Sequence, residues 1–376
     1  MINSGYGLMD VTNANTKIKI VAYRVDNKTL APTRIAERSG MIVMRLDNDW
    51  NYSRYVTTSD KLLAKTEGNH RSVEWQRVLE EDAPFTLAAN DSIIDIASNN
   101  LILGLTSVVI QGQGTANART DYHGRFNVGG SENIASWTYV RNNAERCDDG
   151  ALASAFLWKH TSGDDIDFNV YTNEVGTIGA QNQYIDAGST MQLIELPASA
   201  KYVLVEATTG DHNFNGDFAF DTKVYEDADQ FTTSQPSSTI EVDSADSYLC
   251  FVGQFQKVDE SDLRPTPSVS LEVGGVDVQH ASAAAYARGQ ATNCRGGMNI
   301  GTLLPNLGAN DAVQVENRPL GSTASMIMGE GYWSMVKLGS LFGGGGGGPT
   351  GWSGEINGII NPPEINGVVP EEVNGI

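Results

Sequence analysis

The residues best placed for chemistry form the run Asp211-x-Asn213-x-Asn215-Gly216-Asp217. Oxygen ligands at alternate positions around a glycine suit a hard cation, which takes carboxylate and amide oxygens from a sharply turning backbone. The twelfth position of such a loop is Thr222, where an EF-hand needs a bidentate Glu. The run therefore reads as a polar loop joining two domains, and structural calcium is the one cofactor for which the chain offers a place. The five histidines, His70, His123, His160, His212 and His280, show no HxxxH or HExxH spacing and are expected at or near the surface. Cys147, Cys250 and Cys294 form neither a CxxC pair nor a zinc pattern and read as buried thiols. There is no nucleophile elbow and no phosphate-binding glycine loop. Pairs of carboxylates able to cleave a glycosidic bond exist in any acidic chain, and nothing singles one out. The expectation is a protein without enzymatic activity, catalytic residues or bound organic cofactor.

Composition narrows the partners. The 376 residues carry 25 Lys+Arg against 46 Asp+Glu, a net charge of −21, which repels nucleic-acid phosphates and anionic membranes. No window approaches the roughly 18 uninterrupted apolar residues of a membrane-spanning helix. Met1 to Leu8 lacks the basic then apolar order of a Sec signal, so synthesis and assembly in a host cytoplasm are expected. With 40 glycines and only 19% charged residues, the chain favours turns and short strands over long helices.

The elements that position these residues are duplicated. Shifted by 146 residues, Trp75–Leu105 falls on Asp221–Phe251 without a gap, matching Val78 with Val224, Glu80 with Glu226, Phe85 with Phe231 and Ile94 with Ile240. Val128-Gly129-Gly130 falls on Val273-Gly274-Gly275, and Tyr139–Asn169 on Tyr286–Glu316, which pairs Cys147 with Cys294, Gly150 with Gly297 and Leu157 with Leu304. About a quarter of the positions in each block are identical, against roughly one in sixteen by chance. Apolar and polar residues alternate within each copy, as in Ile94-Asp95-Ile96 and Val313-Gln314-Val315, and turn signals recur every eight to twelve residues. Each copy is expected to be a β-sandwich of two packed sheets, the jelly-roll arrangement.

The end of the second copy runs Tyr286-Ala287-Arg288, Ile300 to Leu304, Asn310 to Val315, then Gly331-Tyr332-Trp333-Ser334-Met335-Val336-Lys337-Leu338. The first copy repeats this as Ala155-Phe156-Leu157, Asp164 to Val170 and Ser189 to Leu196, with Glu195-Leu196 where Lys337-Leu338 stands. This order resembles the closing strands of the C1q and tumour-necrosis-factor-like jelly rolls over about the last 55 residues of each copy, and it implies a homotrimer. Two rolls in tandem also resemble the double jelly-roll coat proteins of icosahedral viruses.

Four segments result: an N-terminal β-rich docking arm at 1–74, a first roll at 75–209, a second at 210–342 and a tail at 343–376. The arm holds two expected strands, Lys17 to Val25 and Met41 to Leu46, and much of the positive charge, including Lys19, Arg24, Lys28, Arg34, Arg38 and Arg45. The tail opens with six glycines, Gly343 to Gly348, a flexible spacer. It then repeats one motif three times, Glu355-Ile356-Asn357-Gly358-Ile359, Glu364-Ile365-Asn366-Gly367-Val368 and Glu372-Val373-Asn374-Gly375-Ile376. The expected partner-binding residues are Glu355, Ile356, Ile359, Glu364, Ile365, Val368, Glu372, Val373 and Ile376, laid along a groove or sheet edge of a neighbouring subunit.

Together these features point to a structural protein of a virus or bacteriophage particle, exposed on its exterior and bound to other virion proteins. The first reading is a trimeric decoration, fibre or appendage in which the rolls stack as a rod, with Thr208 to Asp221 as linker. The second is the major capsid protein, its rolls side by side in a pseudo-hexagonal tile. A third is a tail-fibre module that binds a host-surface glycan through Trp137, Trp158 or Trp352, although Trp137 and Trp158 fall in expected strands.

Overall fold

The computed structural model describes residues 43, 46, 50–63, 68–113, 118–142, 149–175, 182–208, 212–214, 216–217, 219–258, 266–285, 296–320 and 326–341. The expected strand Lys17 to Val25, most of Met41 to Leu46, Cys147, Cys294, Trp352 and every tail residue from Glu355 to Ile376 lie outside them. Among the described residues the regular structure is all β except for one 3-10 turn, Leu338–Ser340.

The first half contributes β1 (Tyr52–Val56), β2 (Lys61–Leu62), β3 (His70–Ser72), β4 (Arg77–Glu81), β5 (Phe85–Leu87), β6 (Ile94–Ile96) and β7 (Leu101–Gln113). There follow β8 (Ala118–Val128), β9 (Ser131–Asn142), β10 (Asp149–Lys159), β11 (Asp165–Val175), β12 (Asn182–Ile185) and β13 (Thr190–Glu195). Sheet A runs β10-β7-β13-β1-β4, with β12 following β13 along β7 and β2 beside it. Sheet B runs β9-β8-β11-β6-β5, with β3 also on β11. The second half contributes β14 (Tyr202–Ala207), β15 (His212–Phe214), β16 (Gly216–Asp217), β17 (Thr222–Glu226), β18 (Phe231–Thr232) and β19 (Thr239–Val242). It ends with β20 (Asp246–Val258), β21 (Thr266–Val273), β22 (Val276–Ala284), β23 (Gly296–Leu307), β24 (Asp311–Leu320) and β25 (Met326–Lys337). Sheet C runs β23-β20-β25-β14-β17, and sheet D runs β22-β21-β24-β19-β18. Sheet C repeats the order of A strand for strand, and D repeats B. The chain is thus two jelly-roll sandwiches of like topology.

Alternation builds both interiors. Strand β21 buries Pro267, Val269 and Leu271 and leaves the residues between them half-buried, as a pleat with one face inward requires. Trp75, Tyr122, Phe126, Phe156 and Phe168 fill the space between A and B; Phe220, Phe231, Tyr248 and Trp333 fill that between C and D. The aligned glycine pairs close equivalent hairpins with positive φ at both positions, 55° and 83° at Gly129-Gly130 and 58° and 79° at Gly274-Gly275. Such turns match the twist of the strands they join and are open to glycine without strain.

The sheets divide the chain elsewhere than at 74/75 and 209/210. Residues from Trp50 onward belong to the first sandwich: β1 lies between β13 and β4, and Tyr55, Leu63 and Val73 are core residues. Strand β14 is its counterpart, between β25 and β17. Tyr52 N–H donates to Asp82 Oδ2 at 3.2 Å and Tyr202 N–H to Asp227 Oδ2 at 2.9 Å, and each aspartate returns its own N–H to the tyrosine carbonyl at 3.1 Å. The repeat therefore begins with β1, where so few identities survive that alignment cannot find it. Strands β10 and β23 also differ from the sequence pairing. Leu157 faces outward and Leu304 inward, because a one-residue slip in register reverses the face.

Candidate functional site

The connection between the sandwiches is a single turn, Pro197 to Ala200, closed by Ala200 N–H donating to the Pro197 carbonyl at 2.8 Å. Thr208 to Asp221, expected to link a rod, instead lies inside the second sandwich, where β15 pairs with β25 and β16 with β24. So short a turn folds the second sandwich back against the first. Leu101, Leu103 and Leu105 of β7, Leu157 of β10 and Ile194 of β13 form one buried cluster with Tyr202, Leu249, Phe251 and Val336. Sheets A and C therefore face each other, with the β9 edge of sheet B also meeting sheet C, and the rolls stand side by side. This overturns the stacked rod.

Specific contacts seat the two halves. Tyr332 of β25 enters the first core, edge-on to Phe156 at 5.2 Å, and its hydroxyl donates to the Ala135 carbonyl at 3.4 Å. Gly253 makes room for that ring, since a Cβ there would fall 2.2 Å from Tyr332 Cε1. Gly297 lets β23 approach β9, where a Cβ would come within 2.6 Å of the Trp137 carbonyl oxygen. Asn299 Nδ2 donates to the Ala153 carbonyl at 2.6 Å. Here β9 and β10 of the first sandwich lie against β20, β23 and β25 of the second, so unlike surfaces meet.

One row of rings reaches this contact across four strands. His70, Tyr171, His123 and Trp137 are successive partners in the register of β3, β11, β8 and β9. Their centroids are 4.8, 4.9 and 4.5 Å apart, and Trp137 meets Phe255 of the second sandwich at 5.8 Å. Arg125 lies over the Tyr171 ring at 4.8 Å. Desolvation and the adjacent Glu132 carboxylate push the Tyr171 phenol up to about 12. In the second sandwich Ser268 and Ala284 stand at the register positions of His123 and Trp137, so the row is not repeated.

The structure redistributes the residues singled out in the sequence. Asn213 lies in β15 on sheet C and Asp217 in β16 on sheet D, so the run is divided between two sheets instead of forming the loop that joins the rolls. Asp211 and Asn215 fall outside the described residues. His70 and His280 are exposed, but His123 and His160 are buried, contrary to expectation. His160 accepts from Trp158 Nε1 at 3.3 Å, and burial lowers its basicity. Cys250 is a buried free thiol that accepts from Trp333 Nε1 at 3.2 Å, and burial pushes it up to about 12. Trp137 and Trp158 are 6% and 5% exposed and offer no platform for a glycan. Glu272, Asp277 and Glu316 group on the second sandwich with ligand atoms within 4.8 Å of one another. A half-exposed acidic group of this kind is common without a cation.

Sequence reasoning missed the contact between the rolls. Its signal was present in Leu101-Ile102-Leu103 and in Tyr248-Leu249-Cys250-Phe251-Val252, unbroken apolar runs of the kind seen in strands buried on both faces.

No family model matches the chain, and no curated protein matches it. Among solved structures, murine APRIL aligns over 39% of this chain and 100% of its own, at 13% identity and a TM-score of 0.28. Infectious bursal disease virus, Gx strain, aligns over 78% of this chain and 74% of its own, at 13% identity and a TM-score of 0.24. Broad bean stain virus aligns over 84% and 94%, at 12% identity and a TM-score of 0.23.

Proposed function

We propose that the protein is a non-enzymatic structural component of a virus or phage particle, with its two rolls acting as one shell-building tile. The supporting observation is the buried apolar contact that two whole sandwiches share through sheets A and C. A chain that uses this much apolar surface to fix one roll beside another gains a broad rigid block, which suits tiling more than a fibre. The buried Cys250 and His160 and the half-buried Asp167 all have hydrogen-bond partners consistent with structural roles. On this reading three copies form the tile, the acidic surface faces the medium, and the tail motifs engage neighbouring virion proteins. Enzymatic activity and a bound cofactor form no part of it.

The test is to purify particles from a producing culture and locate the chain by cryo-electron microscopy and copy counting. A regular lattice of three-chain tiles is expected. Absence from particles, or presence at a few copies confined to a tail, overturns the shell role.

A further inference from the structure

Large apolar side chains are exposed at few places among the described residues, and four of the seven lie on two strands. Val78 and Leu79 of β4 are 40% and 42% exposed, and Val224 and Tyr225 of β17 are 49% and 39% exposed. These strands are counterparts. Among the described strands, β4 is the outermost of sheet A and β17 of sheet C, and the Tyr225 ring stacks with one face on Tyr202 of the contact between the rolls at 4.2 Å.

Both strands also carry the same irregularity. Pairing with β1 skips Leu79, and pairing with β14 skips Val224. The bulge leaves Leu79 and Val224, both exposed, without an opposing residue on the inner strand. The bulge persists in both sandwiches although most of their residues have diverged, so it is a retained feature and not an accident of one strand.

The flanking charges complete the pattern. Arg77-Val78-Leu79-Glu80 and Lys223-Val224-Tyr225-Glu226 both read basic, apolar, apolar, acidic. Laid antiparallel, they set Arg77 opposite Glu226, Val78 opposite Tyr225, Leu79 opposite Val224 and Glu80 opposite Lys223. Arg77 makes no ion pair among the described residues, whereas Glu80 lies 3.5 Å from Arg54 and Glu226 lies 2.9 Å from Lys223. Opposite charges facing across such a pair are favourable and like charges are not, so the antiparallel alignment is selected over the parallel one.

We infer that these two edges are the contact between copies of the chain, with β4 of one copy lying antiparallel against β17 of the next. The inference deepens the tile reading by naming the surface through which tiles form, and it can fail separately from it. Each copy then uses both edges, and unlike edges joined head to tail close into a ring when the rotation permits.

The experiment uses the full chain and two double variants, Val78→Ser with Leu79→Ser and Val224→Ser with Tyr225→Ser. Circular dichroism and melting checks that each is folded, and sedimentation velocity with native mass measurement reads the assembly. The wild-type chain is expected to be oligomeric and each variant alone monomeric, with at least a tenfold weaker association. A mixture of the two variants keeps one intact β4–β17 pair and is expected to give a one-to-one dimer. A monomeric wild type overturns the inference, as does an oligomer that survives in folded variants. Variants that each remain dimeric, as like-to-like pairing requires, also overturn it. None of these outcomes bears on whether the chain is found in particles.

Discussion

Tyr332 and Gly253 show how a single position can govern both sandwiches. The tyrosine ring crosses from sheet C into the first core because the facing residue has no side chain, and the inserted Cβ would lie 2.2 Å from the ring. Gly253→Ala is therefore expected to displace Tyr332 and destabilise the protein by about 1–3 kcal/mol, the usual cost of overpacking a filled core. Urea denaturation checks this, and a cost below a few tenths of a kcal/mol would mean that the ring moves freely. At this scale little of the site was legible in the sequence. A glycine in a strand marks a close approach without saying what approaches. The tryptophans were placed correctly in strands, but that Trp137 touches Phe255 depends on a register that no local pattern records.

Strands were far more legible. The alternation that fixes β6, β11 and β24 and the glycine pairs that close β8–β9 and β21–β22 are local, so they can be read directly. What escaped was the strand that opens each sandwich. Strands β1 and β14 lie beside β13 and β25, far away in sequence, and their shared feature is an aspartate holding a backbone N–H, a contact indifferent to most side chains. Strand β14 also carries an acid in an unfavourable place. Burial, with Asp221 and Glu330 nearby, holds the Glu206 carboxyl above its ordinary range. The folded chain thus binds that proton more tightly than the unfolded chain. Its contribution is fully present below the unfolded pKa and is lost as pH rises through the folded one, so the ionised group weakens the fold at neutral pH. Glu206→Gln is expected to stabilise the protein at neutral pH and to change little at mildly acidic pH. A melting-temperature difference independent of pH would contradict the assignment. Asp167, raised by burial, contributes with the same sign.

The two sandwiches share a core cluster and are expected to unfold as one body. Leu101, Leu103 and Leu105 on one side and Leu249 and Phe251 on the other would be exposed if the sandwiches parted. Calorimetry is expected to show a single unfolding transition, with van't Hoff and calorimetric enthalpies in agreement. Two resolved transitions would show that the contact is weak. Cutting the chain within Pro197 to Ala200 and producing the pieces together should give a one-to-one complex that survives gel filtration, whereas each piece alone should aggregate.

The turn at Pro197 to Ala200 also has a bearing on how the protein is made. The first sandwich leaves the ribosome, lacking from its core only the Tyr332 ring, before the second can fold. At roughly 5–20 residues per second, its Leu101–Leu105 face waits on the order of ten seconds for the strands that cover it. During vectorial synthesis the molecule thus passes through a half-made stage with a bare leucine face, the stage at which nascent-chain chaperones bind and crowded polysomes are most prone to cross-association.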